Sequence, residues 1–323
     1  MKFLVIGAGV LGSLYGARLS QTGNEVTMLA RGGRAGALRA DGIVLRDALR
    51  GGTTVTRVDV VEELGPDDRY DRIIVLVRKN QLPSVLSTLG DHGASQSIVF
   101  MVNNASGYTE MLRAVGSSRV LLGFAGAGGT MKDGIVEYTI APRLLQRTTF
   151  GEPDGTITER LRQTAKAFKG AGFPVALERN MDAWQKTHVA WVSPVANAIY
   201  AAAGDVSRLS RTPAAIALML GAIRESFAVL NKLDVPITPW KLRPLSHLPE
   251  RVGLRLLPPL LASRRADIIF ARHANAARDE MQQLAAELAS LAIRAGIPTP
   301  HLDELDRYAD PASAPLPVGA EEK

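Results

Sequence analysis

The apolar positions of this chain change their period partway along it. Up to about residue 170 they come as short, β-branched runs separated by polar and glycine-rich stretches. Such runs are the pattern of strands buried on both faces. Phe3–Ile6, Glu25–Ala30, Arg72–Val77, Ser97–Val102 and Val120–Phe124 are five of them. Asp41–Val60 predicts a β-rich excursion, Ile135–Ile140 and Arg147–Phe150 predict strands that close the sheet, and Gly155–Gly170 predicts a helix. The texture changes near Gly172–Arg179, and beyond it the spacing is helical. Asp182–Ala203 is a long amphipathic run expected to break at Pro194. Thr212-Pro213 predicts an N-cap and first residue opening a helix to about Leu233. Pro236–Pro259 reads as irregular, Arg278–Ala295 as a helix stopped by Gly296, and Asp310–Lys323 as a loose tail.

The first strand runs into Gly7, Gly9 and Gly12, in G-x-G-x-x-G spacing, and then into a helical stretch, Ser13–Ser20. Gly7 serves the tight turn, Gly9 lets backbone approach a pyrophosphate, and Gly12 lets helix pack on strand. Backbone N–H groups across Gly7, Ala8, Gly9, Val10, Leu11 and Gly12, with the helix dipole, then form an anion site. The expected class is α/β: an N-terminal Rossmann-type doubly wound sheet followed by an all-α C-terminal domain. The expected boundaries are 1–178 for nucleotide binding, 179–309 for a helical substrate and dimerisation domain, and 310–323 for the tail.

The end of the second strand distinguishes the cofactors. An acid there would hold the ribose hydroxyl of NAD and repel a 2′-phosphate. This chain has Ala30, then Arg31, Gly32, Gly33 and Arg34. Two guanidinium groups on a glycine-rich loop suit a phosphate and predict NADP(H).

Composition changes this picture only by exclusion. The 323 residues allow two cores. With no cysteine, disulfides, thiolate metal sites and a cysteine nucleophile are excluded, and no metal centre is expected. A reducing, cytoplasmic setting fits. No apolar run reaches the roughly 20 residues of a membrane span. The formal charge of +6 suits anionic small ligands and is too small to argue for nucleic acid. Eight basic residues gather over Lys241–Arg278, a stretch that Pro244, Pro249, Pro258 and Pro259 interrupt, and they read as a solvated surface.

Further stretches carry a resemblance to a family. Asp182-Ala183-Trp184-Gln185-Lys186 resembles the segment in which ketopantoate reductases carry their catalytic lysine. Glu280, 16 residues before Gly296, matches the family's substrate-binding glutamate, and Asn104 with Gly107 resembles its Asn-Gly motif. The resemblance implies an NADPH-dependent reductase of a 2-oxo acid, of the 2-dehydropantoate 2-reductase type. Lys186 would be proton donor, Glu280 and Asn104 substrate ligands, and Arg31, Arg34, Arg78 and Asn104 cofactor ligands beside the glycine turn. Adding hydride to a keto carbon leaves charge on oxygen, which an adjacent ammonium both stabilises and protonates. Departures are also visible. Ala190 and Pro194 stand where the family has asparagines, Arg78 replaces a lysine, and Ala105 replaces a glycine. Fewer polar contacts predict a substrate more apolar than ketopantoate. A paralogue acting on another ketone or imine, and a non-catalytic NADP-binding sensor, are the alternative readings. His188, about 200° around the helix from Lys186, is expected in a core or interface. The long apolar helices leave room for a homodimer.

Overall fold

A computed structural model describes residues 1–90, 92–263 and 266–319. Two compact units make up the chain. The first comprises Met1–Val102 and Tyr108–Met181; the second comprises Asn103–Gly107 and Asp182–Lys323.

The first unit is built on an eight-stranded sheet. Its strands are β1 (Lys2–Ile6), β2 (Glu25–Leu29), β5 (Asp59–Val61), β6 (Arg72–Val75), β7 (Ile98–Phe100), β8 (Val120–Phe124), β11 (Thr148–Gly151) and β12 (Val175–Leu177). The order β12-β11-β8-β7-β6-β1-β2-β5 winds outward from β1 in both directions. Pairing is parallel except where β11 runs against β8. Alternate residues feed opposite faces. Phe3, Val5, Ile74 and Val99 enter one core, and Leu4, Ile6, Ile73 and Val75 enter the other. Burial on both faces is why these strands read as continuous apolar runs. Each such side chain contributes roughly 1.5–3 kcal/mol.

A second, four-stranded sheet has the order β4-β3-β10-β9, with β3 (Ile43–Asp47), β4 (Thr53–Thr56), β9 (Ala127–Lys132) and β10 (Ile135–Ile140). Ile135–Ile140 therefore does not close the main sheet as its sequence suggested. It folds back on β9 through Asp133 and Gly134, both at positive φ (51° and 79°), the Asp-Gly pair that a two-residue hairpin demands. Helix α1 (Val10–Ser20) packs on β1 and β2 and also on β3, β9 and β10. It is consequently buried nearly all round. A Cβ on Gly16 would stand 2.8 Å from the Met28 sulfur, so glycine sets how closely this helix approaches the sheet.

The segment read as a flexible loop after β2 is instead helix α2 (Gly32–Asp41), with Ala35 and Leu38 buried. Helices α3 (Leu82–Gly90), α4 (Thr109–Val115) and α5 (Glu159–Gly170) complete the unit.

The second unit is helical. Helix α6 (Met181–Ala201) contributes all but its first residue to it and continues through Pro194. The expected break does not occur. Proline removes one N–H, and the burial of Val189, Ala190, Ala196 and Ile199 around it holds the helix together. After the short α7 (Val206–Leu209), α8 (Pro213–Lys232) is the central element. Thr212 stands at its N-cap, but the hydroxyl donates to the Arg208 carbonyl rather than accepting a cap bond. Helix α8 is long and apolar enough to cross a membrane, yet 78% of its apolar window is buried inside the protein. It packs against α9 (Glu250–Leu261), α11 (Arg278–Ala295) and α12 (Pro300–Asp306). Between α9 and α11 lies the short helix α10 (Arg272–Ala276). Pro258 and Pro259 fall within α9, so the stretch Pro236–Pro259 is more regular than it reads.

Several residues of the basic stretch have structural partners. Arg272 pairs with Asp267 at 3.0 Å, and Arg278 lies 3.8 Å over the Tyr200 ring. Arg264 and Arg265 lie outside the described residues. The segment expected as a loose tail is tied down. Leu316 N–H donates to the Ala201 carbonyl at 2.8 Å, and Gly319 N–H to the Arg211 carbonyl at 3.0 Å. Its final residues, 320–323, lie outside the described residues.

Candidate functional site

In the first unit the glycines of the turn divide into two that neighbouring backbone forces and one that stands beside open space. A Cβ on Gly12 would stand 1.8 Å from the Gly7 carbonyl oxygen, and one on Gly7, at φ 106°, would stand 2.2 Å from the Leu76 carbonyl oxygen. The protein's own backbone forces both glycines. A Cβ on Gly9 would meet nothing within 4 Å. Gly9 is also the N-cap of α1, and as glycine it offers no side-chain cap to the N–H groups that open the helix. A dinucleotide pyrophosphate fits here, because the chain supplies donors and no side chain stands in the way.

Beside the turn lies a cavity of about 340 Å³ whose lining includes Ala8, Ala30, Arg31, Arg34 and Gln81. Arg34 sits in the first turn of α2. Its guanidinium donates to the Ala8 carbonyl at 3.0 Å and to Ser13 Oγ at 2.8 Å, fastening α2 to the glycine turn. Partial burial lowers its pKa, but a guanidinium remains a cation. Arg31 is the N-cap residue of α2, and its Nε donates to the Glu62 carbonyl at 3.3 Å. The Glu62 carboxylate is paired with Arg39 at 2.8 Å and held below the usual carboxylate range by that hydrogen bond and by the Gly32 N–H. Arg78 is half-buried at the start of a 3₁₀ turn, Lys79–Gln81. The neighbouring Lys79 is the more deeply placed cation, buried and paired with Glu110 at 2.9 Å.

In the second unit three elements converge. Helix α6 carries Lys186, whose side chain is 13% exposed and whose ammonium lies 2.5 Å from the Asp182 carboxylate. Helix α11 carries Glu280, buried in its first turn. The loop Asn103–Gly107 connects them. Asn103 Nδ2 donates to Glu280 Oε1 at 3.0 Å, and a Cβ on Gly107 would lie 4.0 Å from Asp182 Oδ1. The arrangement thus gathers an ammonium, two carboxylates and an amide-rich turn, with which a polar carbonyl compound can be held and protonated.

Asn104, the asparagine singled out from the sequence, holds the loop's shape. Its Nδ2 donates to the Gly107 carbonyl at 2.9 Å, and its Oδ1 accepts from Ser106 Oγ at 3.0 Å. Asn103, which the sequence reading passed over, is the one that reaches Glu280. A second carboxylate was also missed. Glu287, 7% exposed, accepts the N–H groups of Ala105 and Ser106 at 2.7 and 3.1 Å. Its signal was present: it interrupts the apolar series Leu284, Leu288 and Leu291 on a face that should have stayed apolar. His188 belongs to an aromatic row, stacked on Trp184 at 5.6 Å and edge-on to Trp191 at 5.4 Å. Ala190 and Pro194, one and two turns beyond Lys186, are both buried.

Residues 3–155 match the family model described as ketopantoate reductase PanE/ApbA. The uncharacterized oxidoreductase YkpB of Bacillus subtilis is 30% identical over 190 residues, 58% of this chain and 61% of that protein. The 2-dehydropantoate 2-reductase of Aquifex aeolicus is 25% identical over 246 residues, 75% of this chain and 76% of that protein. The match thus spans about three fifths to three quarters of these relatives' lengths. Among solved structures, the 2-dehydropantoate 2-reductase of Geobacter metallireducens GS-15 superposes with a TM-score of 0.78 at 17% identity, covering 97% of this chain and all of that one. A ternary structure of D-mandelate dehydrogenase with NADH and anilino(oxo)acetate gives 0.71 at 15% identity, covering 96% and 97%. At such identities the structural likeness speaks for the fold. The family match, made through the glycine turn and the sheet built around it, shows that residues 3–155 are similar to the ketopantoate reductase PanE/ApbA domain.

Proposed function

We propose that the protein reduces a 2-oxo acid with NADPH. The observation that carries this reading is the Lys186 ammonium, held by Asp182 within the group that also contains the Asn103–Gly107 loop and buried Glu280. Lys186 would stabilise the oxygen as charge develops and deliver its proton there. Glu280 would accept a hydrogen bond from a substrate hydroxyl. A nicotinamide dinucleotide bound at the glycine turn would supply the hydride. Arg31 and Arg34 in the adjoining cavity, with Ala30 in place of an acid, favour a 2′-phosphate.

A second reading concerns the substrate. Buried Ala190 and Pro194 on the lysine's side of α6 favour an apolar or aryl 2-oxo acid over ketopantoate.

The test is NADPH oxidation across a panel of 2-oxo acids that includes 2-dehydropantoate and aryl 2-oxo acids, with NADH in parallel. Lys186→Ala should bind NADPH normally and turn over the best substrate roughly 10²–10⁴-fold more slowly. Lys186→Arg should not restore turnover, because a guanidinium does not release its proton. Near-normal turnover by Lys186→Ala would remove the lysine from the mechanism. A wild type inactive on the whole panel would shift the reading to a nucleotide-binding sensor.

A further inference from the structure

Helix α11 presents two buried carboxylates seven residues apart, and both engage the same five-residue loop. Seven residues are nearly two full turns, so Glu280 and Glu287 share one face of the helix. Their tasks differ. Glu280 meets a side chain, the Nδ2 of Asn103 at 3.0 Å. Glu287 meets backbone, accepting from two successive N–H groups of Ala105 and Ser106. The loop is stitched internally by Asn104, through Ser106 Oγ and the Gly107 carbonyl. Gly107 takes φ 81°, which glycine adopts without strain. With its shape fixed from within, the loop is seated on the helix by Glu287. The orientation of the Asn103 amide follows: Nδ2 must face Glu280, since a carbonyl oxygen there would oppose the carboxylate. Asn103 Oδ1 is then left buried, with no hydrogen-bond donor to it among the described residues. A buried acceptor without a donor is costly unless a ligand supplies one.

We propose that Glu287 is a positioning residue. By clamping the Ala105 and Ser106 amides it holds Asn103 against Glu280, and so presents Asn103 Oδ1 as an acceptor for a hydroxyl or amino hydrogen of the substrate. Asn103 thereby joins the substrate ligands, and Glu287 acts only through it. The inference rests on the reductase reading for its substrate role, while the clamp itself is a property of the folded chain.

The experiment compares Glu287→Gln, Asn103→Ala and the double variant in the full-length protein. Both N–H groups donate to one carboxylate oxygen, Oε2, so Glu287→Gln keeps the side-chain volume and an acceptor but removes the charge that strengthens both bonds. Amide hydrogen exchange of the segment containing Ala105 and Ser106 should rise at least tenfold in this variant, with α11 itself unchanged. With the best 2-oxo acid, each single variant should raise KM about tenfold, leaving NADPH affinity within twofold. The double variant should be no worse than Asn103→Ala alone, because both changes remove one interaction. Multiplied losses would overturn the action through Asn103, and unchanged exchange in Glu287→Gln would overturn the clamp. If Glu287→Gln proves too unstable to purify, Asn103→Ala decides the substrate role through KM, and Glu287→Asp decides the clamp through exchange. A wild type inactive on every 2-oxo acid defeats the reductase reading and the substrate role together, and exchange still decides the clamp.

Discussion

The Lys186 ammonium lies 2.5 Å from the carboxylate of Asp182, one helical turn earlier on α6. The acid precedes the base, which is the favourable order along a helix. As a stabilising pair it contributes little, about 0.3–0.5 kcal/mol for an i,i+4 bridge. Its larger effect is to restrict where the ammonium points. Asp182→Asn should therefore leave the melting temperature nearly unchanged and lower kcat/KM on the best 2-oxo acid by roughly tenfold, the size of a modest misplacement of a catalytic group. Parallel calorimetry and steady-state kinetics check this. Unchanged kinetics would show that Lys186 is positioned without Asp182.

Cofactor choice should reside in Arg31. Arg31 lines the cavity beside the glycine turn, and among the described residues its guanidinium makes one long hydrogen bond, at 3.3 Å, to the Glu62 carbonyl. Arg31→Ala should weaken NADPH binding by about 1.5–3 kcal/mol, the range for hydrogen bonds to charged groups, and leave NADH binding nearly unchanged. Arg34→Ala should weaken both cofactors, because it also unfastens α2 from Ala8 and Ser13. Titration calorimetry with the two cofactors separates the cases. Equal affinities in the wild type would end the phosphate reading.

Asp306 gives the helical unit a pH dependence of predictable sign. Burial raises its pKa from 3.8 to about 6, against the opposing effect of the hydrogen bond from Asn197 Nδ2. The folded state holds its proton more tightly than the unfolded one, so stability is complete below about pH 4 and falls as pH rises through 6. The loss is roughly 2–3 kcal/mol for a two-unit shift. Asn197 Oδ1 is buried without a donor among the described residues, and a protonated or amide group at position 306 could supply one. Asp306→Asn should raise the melting temperature at pH 7.5 and flatten the stability profile between pH 4 and 6. Melting curves across that range test it, and a variant no more stable than wild type at pH 7.5 would count against the assignment.

Much of this architecture is legible locally. The strand, glycine turn and helix at the N-terminus follow from period and spacing, and α11 ends where Gly296 takes a left-handed φ of 65°. What escaped the sequence depends on partners distant along the chain. Ile135–Ile140 has the composition of any buried strand, and only its pairing with β9 and β3 tells which sheet it joins. The Asp133-Gly134 turn was the local clue. Gly32, Gly33 and Gly36 each disfavour helix by about 1 kcal/mol relative to alanine, which hid α2 until burial of Ala35 and Leu38 outweighed them. Asn103 and Glu287 act across 177 and about 180 residues of sequence, so their roles had no local trace beyond a misplaced acid.

The glycine turn offers the sharpest separation of folding from binding. Gly12→Ala puts a methyl carbon 1.8 Å from the Gly7 carbonyl oxygen, backbone that cannot move without parting α1 from β1. Its cost should reach the upper end of overpacking penalties, about 3 kcal/mol or more. Gly9→Ala differs in every respect. Its φ of −79° is open to alanine, no atom lies within 4 Å of the new methyl, and exchanging glycine for alanine at an N-cap costs a few tenths of a kcal/mol to about 1. The folded protein should therefore tolerate it, with a melting temperature within a few degrees of wild type. On the proposed reading the methyl would stand where the pyrophosphate crosses the turn, so dinucleotide affinity should fall at least tenfold for NADPH and NADH alike. Thermal melts with and without each cofactor read both quantities in one series. Tight cofactor binding by Gly9→Ala would show that the dinucleotide does not cross this turn.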